Sequence, residues 1–262
     1  MTTTLSGRYE FIEQETKPQI GIGSQLKLFD NKLTLRALFA NKYRRPSIDD
    51  KYWPIWGNLD LVPEYGFTIE NGIEYSILKI NKVDLNNELS VFYLLMNDMI
   101  TWLPADDGDW HPYNFSQGVN KGLEYKLNFN YNFNSKNSFK NTFIINYTDS
   151  KITKSKDNDI LQAGNSLFYV PKIKIDFQVL LKLRNFNAFV STSYTGQRSY
   201  RVNYYLEPYF LINTGMAYEI KAKKIKMGIR AELNNILKTS YELYRSFPMP
   251  LRNFNINYFI NI

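Results

Sequence analysis

The residue pattern that most constrains the fold is an alternation of apolar and polar side chains, which recurs from about Gln19 to the last residue. A period of two belongs to β-strands whose two faces meet different surroundings. It therefore predicts an all-β chain. The stretch 123–133 shows it most sharply, because Glu124, Lys126, Asn128, Asn130 and Asn132 alternate with Leu123, Tyr125, Leu127, Phe129, Tyr131 and Phe133.

About eleven strands are predicted, and the connections between them alternate in length. Short ones fall near residues 30–31, 81–86, 134–137, 184–185 and 221–224, and long ones at 44–65, 102–116, 150–170, 196–207 and 236–251. Antiparallel outer-membrane β-barrels have short turns on the periplasmic side and long loops outside. The predicted strands are 18–29, 33–43, 66–79, 87–101, 117–133, 139–149, 171–183, 186–195, 208–220, 225–235 and 252–262.

Composition separates two kinds of membrane protein. No segment approaches the roughly 20 consecutive apolar residues of a membrane-spanning helix, which excludes a helical membrane protein. A transmembrane β-barrel needs only alternate residues to be apolar, and the 16% of aromatic residues would supply its interfacial girdles. A soluble β-sandwich also alternates its faces, although its loops rarely sort by length.

Several kinds of chemistry are excluded by residue counts. The chain has no cysteine, so it has no disulfide, thiol nucleophile or Cys-ligated zinc. Its only histidine is His111, which excludes a His-rich metal site and leaves one base for any Ser-His-Asp triad. No phosphate-binding glycine pattern is present, and the basic residues are dispersed, which argues against nucleic acid. We predict no enzyme activity and no cofactor. Asp106, Asp107 and Asp109 suit either Ca²⁺ or a solvated loop.

The first long loop carries an ordered motif, in the stretch NKYRRPSIDDKYWPIWGNLDLVPEYG. It resembles the segment of TonB-dependent outer-membrane receptors with the pattern R-x-P-x-x-x-(D/E)-L-Y-W followed by G-N-P-x-L-x-P-E. Lys51 and Leu59 depart from the usual Leu and Pro. The matching residues are Arg45, Pro46, Asp50, Tyr52, Trp53, Gly57, Asn58, Leu61, Pro63 and Glu64.

The C-terminal segment, ELNNILKTSYELYRSFPMPLRNFNINYFINI, resembles the last hairpin and closing strand of the same receptors. It contains their N-x-x-x-x-x-Y element and most of P-M-P-G-R, as Pro248, Met249, Pro250 and Arg252. Leu251 stands in place of the usual Gly, and Ile262 in place of the usual terminal aromatic residue.

The resemblance implies that residues 18–262 are the C-terminal part of a barrel of about 22 strands, preceded at 1–17 by a loop or disordered segment. The plug domain, the TonB box and the other half of the barrel would lie outside this chain, and TonB would act through that half. The expected surroundings are outer-membrane lipid, although no signal peptide is visible in MTTTLSGRYEFIEQETK. A split or truncated gene would explain this arrangement.

The resemblance also implies a small-molecule ligand, an iron-siderophore or cobalamin-like compound, that is bound by loop residues and imported. The alternative for each aromatic candidate is a place in the interfacial belt, and for the motif residues it is a role in loop folding. A small stand-alone barrel, either a passive porin or a barrel enzyme, is the rival function. The ligand-binding candidates are Tyr52, Trp53, Trp56, Trp102, Trp110, His111, Tyr113, Arg198, Tyr200, Arg201 and Tyr204.

Overall fold

The computed structural model describes residues 1–9, 17–104, 109–155, 162–222 and 225–261. Twelve strands form one antiparallel sheet in which each strand pairs with its neighbours along the chain. The all-β prediction is confirmed. The sheet consists of β1 (Thr2–Arg8), β2 (Gln19–Leu28), β3 (Leu33–Arg44), β4 (Glu64–Ile80), β5 (Val83–Pro104), β6 (Trp110–Asn134), β7 (Asn137–Lys154), β8 (Ile173–Leu183), β9 (Phe186–Thr195), β12 (Tyr209–Ala222), β13 (Ile225–Asn234) and β16 (Asn253–Asn261).

Three smaller elements lie within the long loops. A short helix, α1 (Ile48–Tyr52), follows β3. Two separate two-stranded hairpins are formed by β10 (Arg198–Arg201) with β11 (Tyr204–Leu206), and by β14 (Glu242–Tyr244) with β15 (Phe247–Pro248). None of the three interrupts the main sheet, which runs from β9 directly to β12 and from β13 to β16.

The short connections are tight turns whose residues tolerate a left-handed backbone. Asp30 and Asn31 between β2 and β3 have φ angles of 55° and 64°, and Asn81 between β4 and β5 has 46°. Asn and Asp enter this region more readily than other non-glycine residues. Asn134 closes another turn, because its side chain accepts hydrogen bonds from the backbone of Lys136 and Asn137. Alternate connections of an antiparallel meander emerge at opposite ends of the strands, so short turns and long loops separate as predicted. The prediction of a long loop at 102–116 is wrong, because β5 and β6 extend through most of that range.

The N-terminal residues differ from the prediction. Residues 2–8 were expected to be part of a loop, but they form β1, which pairs with β2 from Thr2↔Gln25 to Arg8↔Gln19. The prediction is wrong for this segment because Leu5 is its only large apolar residue, too few to show an alternating pattern. Its three threonines still favour extended backbone. Residues 10–16 and Ile262 lie outside the described part.

The chain divides into two compact units. The first contains β1 to β3 and the loop-proximal parts of β4 to β7, and the second contains the remaining parts of those strands and β8 to β16. The ranges are Met1–Ile73, Ser90–Leu123 and Thr148–Val170 for the first unit, and Glu74–Leu89, Glu124–Tyr147 and Pro171–Ile262 for the second.

In the first unit, the buried apolar side chains lie beneath the long loops. Leu103, Phe115 and Ile152 are 0%, 1% and 1% exposed. Leu61, which lies in a loop, is also buried, with 3% of its surface exposed. The loops of this unit therefore share a packed core with the strand ends that carry them.

In the second unit, the apolar faces of the last strands are largely exposed. Tyr218 pairs with Ile229 across β12 and β13, and their side chains are 47% and 50% exposed. On β16, Phe254 and Ile256 are 73% and 64% exposed. A continuous apolar face of this kind is costly in water, whereas lipid tails would solvate it. In the described ranges, no helix is long and apolar enough to cross a membrane.

Candidate functional site

The loop at residues 45–63, here called the anchored loop, begins with helix α1. Ser47 caps the helix, since its hydroxyl accepts a hydrogen bond from the Asp50 backbone at 3.0 Å. The Asp50 carboxylate accepts from the Ser47 backbone in return, at 2.8 Å. This reciprocal pair is a capping box, which allows a five-residue helix to start at a defined position.

Two buried carboxylates fasten the anchored loop to the strands. Asp50 and Glu64 are each 6% exposed, and the half-exposed Arg44 at the end of β3 forms ion pairs with both. Asp50 also accepts a hydrogen bond from Trp102 Nε1 at 2.8 Å, and Glu64 accepts from the Ile100 backbone at 2.6 Å. One arginine and two β5 donors thus satisfy both acids, as buried charges require.

The Asp50 carboxyl group is held in its charged form. Burial acts to raise its pKa, but the hydrogen bonds from Ser47 and Trp102 and the positive charge of Arg44 outweigh burial. The pKa of Asp50 is therefore lowered from its ordinary value.

Arg44, rather than Arg45, supplies the motif arginine. The sequence interpretation assigned this position to Arg45, whereas Arg44 makes both ion pairs. In the spacing R-x-P, the arginine lies two residues before the proline, which is Arg44 when counted from Pro46. The sequence therefore already contained the signal that identifies Arg44. Arg45 and Pro46 are half-buried beside it.

The second half of the anchored loop is held against β6 by hydrogen bonds between asparagine side chains and main-chain groups. Asn58 donates to the Pro112 carbonyl at 3.1 Å. Asn114 accepts from the Val62 backbone at 2.9 Å and donates to the Val62 carbonyl at 3.0 Å. Pro63, half-buried, connects this segment to Glu64. Gly57 allows the tight path, because a Cβ there would stand 2.5 Å from the Lys51 carbonyl oxygen.

The aromatic candidates of the first unit fall into two groups. Tyr52 and Trp53 are 67% and 47% exposed on the anchored loop. The other candidates contact protein groups or are half-buried. Trp102 donates a hydrogen bond to Asp50, and Trp56 Nε1 donates one to Asp109 at 3.0 Å. The Trp110 ring lies 6.1 Å from the Tyr169 ring, and His111 and Tyr113 are half-buried in β6.

The acidic group considered for Ca²⁺ is only partly described. Asp109 accepts the hydrogen bond from Trp56, whereas Asp106 and Asp107 lie outside the described residues. Within the described ranges, no three His, Cys, Asp or Glu side chains come together to hold a metal ion.

In the second unit, residues 196–208 and 235–252 form the terminal loop pair. Arg198 on β10 is 4% exposed, donates from Nη2 to the Glu242 carbonyl at 2.7 Å, and lies 5.0 Å from the centre of the Tyr209 ring. Tyr200 is half-buried beneath the guanidinium of Arg245. Arg201 and Tyr204 are exposed.

The C-terminal motif residues shape the last loop. Asn235, 3% exposed, donates to the carbonyls of Thr239 and Pro250 and accepts from the Thr239 backbone. Arg252 donates to the Ile236 carbonyl, and the Met249 backbone donates to the Tyr241 carbonyl at 3.0 Å. Pro248 ends β15. The N-x-x-x-x-x-Y element therefore contains the buried loop-closing amide of Asn235, a residue absent from the sequence-based candidates.

A polar hollow of about 310 Å³ is present in the second unit, on the strand face opposite the exposed apolar one. Adjacent strands place hydroxyls and amides there, because Gln178 on β8 pairs with both Thr142 on β7 and Ser191 on β9. Its polar lining consists mainly of Thr142, Asp176, Gln178, Ser191, Ser193 and Asn213.

Known proteins resemble this chain along most of its length. The family model described as TonB dependent receptor-like, beta-barrel, matches residues 1–236. The vitamin B12 transporter BtuB of Vibrio vulnificus is 34% identical over 83 residues, which are 31% of this chain and 13% of that protein. The chain thus spans a small part of this relative's length.

Solved structures share the fold at low sequence identity. The copper transporter OprC matches with a TM-score of 0.71 at 15% identity, and the match covers 92% of this chain and 39% of the OprC chain. A second match is a mutant of the ferric enterobactin receptor PfeA from Pseudomonas aeruginosa, in complex with enterobactin. Its TM-score is 0.65 at 15% identity, and the match covers 97% of this chain and 42% of the PfeA chain. With the family model matching residues 1–236, this chain belongs to the TonB-dependent receptor-like β-barrel family.

Proposed function

We propose that this chain is part of a TonB-energised importer in the outer membrane of a Gram-negative cell, with an iron-siderophore or cobalamin-like compound as its ligand. Membership of the receptor family is the observation that carries the proposal. The exposed apolar face of the last strands fits contact with lipid. Relatives that are transporters or receptors support transport rather than catalysis.

Residues 18–262 are proposed to be the C-terminal part of the receptor barrel. The matched solved chains are longer, since this chain covers 39% of OprC and 42% of PfeA. The plug, the remaining strands and the TonB contact are assigned to the rest of the receptor. On its own, the chain is expected to bind no ligand tightly, because an open sheet in lipid leaves edge strands unpaired.

The candidate ligand residues divide by exposure. Tyr52, Trp53, Arg201 and Tyr204 are exposed on loops and are proposed to contact ligand. Trp56, Trp102 and Arg198 are engaged with protein groups and are proposed to hold the loops in place. The remaining candidates lie at the base of the loops, and they are Trp110, which is 38% exposed, and the half-buried His111, Tyr113 and Tyr200.

Charge favours an anionic ligand at the terminal loop pair. Its five basic residues, Arg198, Arg201, Lys238, Arg245 and Arg252, outnumber Glu207 and Glu242, for a formal charge of +3. A surplus of positive charge attracts anionic groups such as those of iron chelates. The anchored loop offers rings with a formal charge of −1, from Arg45 and Lys51 against Asp49, Asp50 and Asp60.

Uptake by cells that express the full-length receptor tests the proposal. Radiolabelled ferric enterobactin and cyanocobalamin serve as two probes, each measured with and without a functional TonB complex. Saturable accumulation of one probe only when TonB is functional is expected. Uptake that is linear with concentration and indifferent to TonB would instead indicate a passive porin.

A further inference from the structure

Arg198 is a buried cation whose structural partners are unusual. Within the described ranges, its guanidinium contacts a neutral carbonyl, that of Glu242, and the face of Tyr209, and its Nε has no hydrogen-bond acceptor. A buried arginine is normally paired with a carboxylate, because desolvating its charge is costly. Here the guanidinium instead joins strand β10 of one loop to strand β14 of the other.

Further contacts lie near this seam between the two loops, two of them between the last loop and the start of β12. The rings of Tyr209 and Tyr241 are 4.5 Å apart, and the Thr239 hydroxyl donates to the Phe210 carbonyl at 2.9 Å. Arg245, from the turn between β14 and β15, lies 5.5 Å from the centre of the Tyr200 ring. Arg198 and Arg245 are thus the side chains that join the two hairpins directly, and Arg198 is buried whereas the Arg245 side chain is 58% exposed.

Exposed aromatic rings are present on both hairpins. Tyr204 and Tyr205 on β11 are 57% and 52% exposed, and Tyr244 and Phe247 of the β14–β15 hairpin are 55% and 67% exposed. Rings carried by two separate loops form one binding surface only when the loops keep a fixed distance. Fixing that distance before binding lowers the entropy cost of ordering the loops around a ligand.

We propose that Arg198 is a positioning residue, which locks hairpins β10–β11 and β14–β15 together so that their exposed rings form one preorganised ligand-contacting surface. The role in ligand contact rests on the proposed function, whereas the locking rests on the contacts of Arg198 alone. Arg198 acts through Glu242 and Tyr209 and does not touch the ligand. A planar, anionic ligand group fits the rings and the surplus positive charge of the two loops.

Distances between the hairpin tips test the locking. Asn203→Cys and Ser246→Cys place spin labels at the turns of the two hairpins in the full-length receptor. This chain has no cysteine of its own, and any cysteine elsewhere in the receptor is first replaced by serine. One narrow distance distribution is expected in the parent. Arg198→Gln should broaden it, whereas Arg201→Gln, the same charge change at an exposed position of the same hairpin, should leave it narrow.

A conservative variant guards against general misfolding. Arg198→Lys keeps a donor for the Glu242 carbonyl and a cation over Tyr209, so its distribution should remain close to that of the parent. Heat-modifiable migration on gels reports whether each variant forms a folded barrel. An unchanged distribution in folded Arg198→Gln protein would overturn the proposal.

A covalent tether separates positioning from direct ligand contact. Ferric enterobactin and cyanocobalamin are the probes. Arg198→Gln is expected to lower the affinity of the receptor for the probe that it binds by about tenfold. A bifunctional maleimide that bridges the two hairpin turns, through the thiols introduced by Asn203→Cys and Ser246→Cys, should restore most of that loss.

The outcomes of the tether experiment are distinct. A tether that narrows the distances without restoring affinity would show that Arg198 contacts the ligand, which contradicts positioning. Failure of the parent receptor to bind either probe would contradict the proposed function and the ligand part of this inference, whereas the distance distributions would still decide the locking.

Discussion

The anchored loop and the terminal loop pair are both ordered, but different forces hold them. In the anchored loop, two buried carboxylates are satisfied by Arg44, Trp102 and backbone donors. In the terminal loop pair, a neutral amide, Asn235, and the tilted ring of Tyr241 against Tyr209 of β12 carry the contacts, and the buried charge of Arg198 faces a carbonyl. The first arrangement depends on ionisation, whereas the second depends mainly on shape.

The difference matters for how each loop responds to change. A buried carboxylate is strongly stabilising only while it keeps every donor, because the loss of one donor leaves a desolvated charge. An amide that closes a loop has no charge to desolvate, so each of its hydrogen bonds adds only roughly 0.5 kcal/mol, the low end of the usual range. We therefore expect the anchored loop to fail abruptly and the terminal loop pair to weaken in steps.

Removing Asp50 should have the largest effect. Asp50→Ala deletes the acceptor of Trp102, half of the capping box and one ion pair with the half-exposed Arg44. Local opening of the anchored loop should become easier by about 3 kcal/mol. Hydrogen exchange of the amides at 47–58 measures this, with Asp49→Ala, an exposed acid in the same helical turn, as control. Equal exchange in both variants would contradict the role of the buried carboxylate.

Removing Asn235 should come second. Asn235→Ala loses three hydrogen bonds and places alanine at a φ of 48°, for an expected local cost of about 2 kcal/mol. Asn203, exposed with a φ of 64°, is the matched control, because Asn203→Ala reports the backbone strain alone. Hydrogen exchange at 236–241 should rise clearly in the first variant. A similar rise in Asn203→Ala would assign the effect to strain instead.

The two loops should lose stability at opposite ends of the pH range. The changes in stability should be smaller than those caused by Asp50→Ala or Asn235→Ala. The pKa of Asp50 is lowered in the folded loop, so its stabilisation is complete above about pH 4 and is lost as pH falls through the folded pKa. Burial, with the neighbouring Tyr209, raises the pKa of Tyr241, so that its contribution persists below about pH 10 and is lost as pH rises through the folded pKa.

Spin labels at two exposed positions measure these pH limits. A label at Leu59→Cys should become mobile on acidification, and a label at Ser246→Cys on alkalinisation. Asp50→Asn removes the titrating acid and should abolish the acid response of the first label. Mobility of both labels at the same pH would show that the loops do not differ in their electrostatic dependence.

The smallest expected effect is a gain in stability. Ile55 has a φ of 74°, a conformation in which a β-branched residue is strained, and its side chain is 90% exposed. Ile55→Gly should stabilise the anchored loop by up to about 1 kcal/mol, since relief of strain is partly offset by the flexibility of glycine. Hydrogen exchange at 54–58 should slow slightly. Faster exchange would show that the Ile55 side chain makes stabilising contacts.

Strand positions could be predicted from the sequence because each strand carries its own pattern. Eleven strands of the main sheet fall where the period of two places them, whereas β1 lacks enough apolar residues to show one. Its position depends on pairing with β2, which no local pattern encodes. Helix α1 had a local signal, the spacing S-x-x-D of its capping box, but its five residues are too few to show a helical period.

The loop contacts could be predicted only in part. The motif drew attention to Asp50 and Glu64, yet it could not show that Arg44 joins them from β3 or that Trp102 reaches Asp50 across 52 residues. Arg198 was predicted as a ligand contact because positive charges in a loop suit an iron chelate. Its burial follows from Tyr209 and Glu242, 11 and 44 residues away along the chain.

Because every strand of the main sheet pairs with its neighbours along the chain, the strand pairs join segments that are close in sequence. Such a meander needs no crossover, and each new strand closes only the loop that connects it to the strand before it. A contact order that is low for an all-β chain favours rapid assembly. The sheet can therefore grow by the addition of one hairpin at a time, with each completed strand serving as the template for the next.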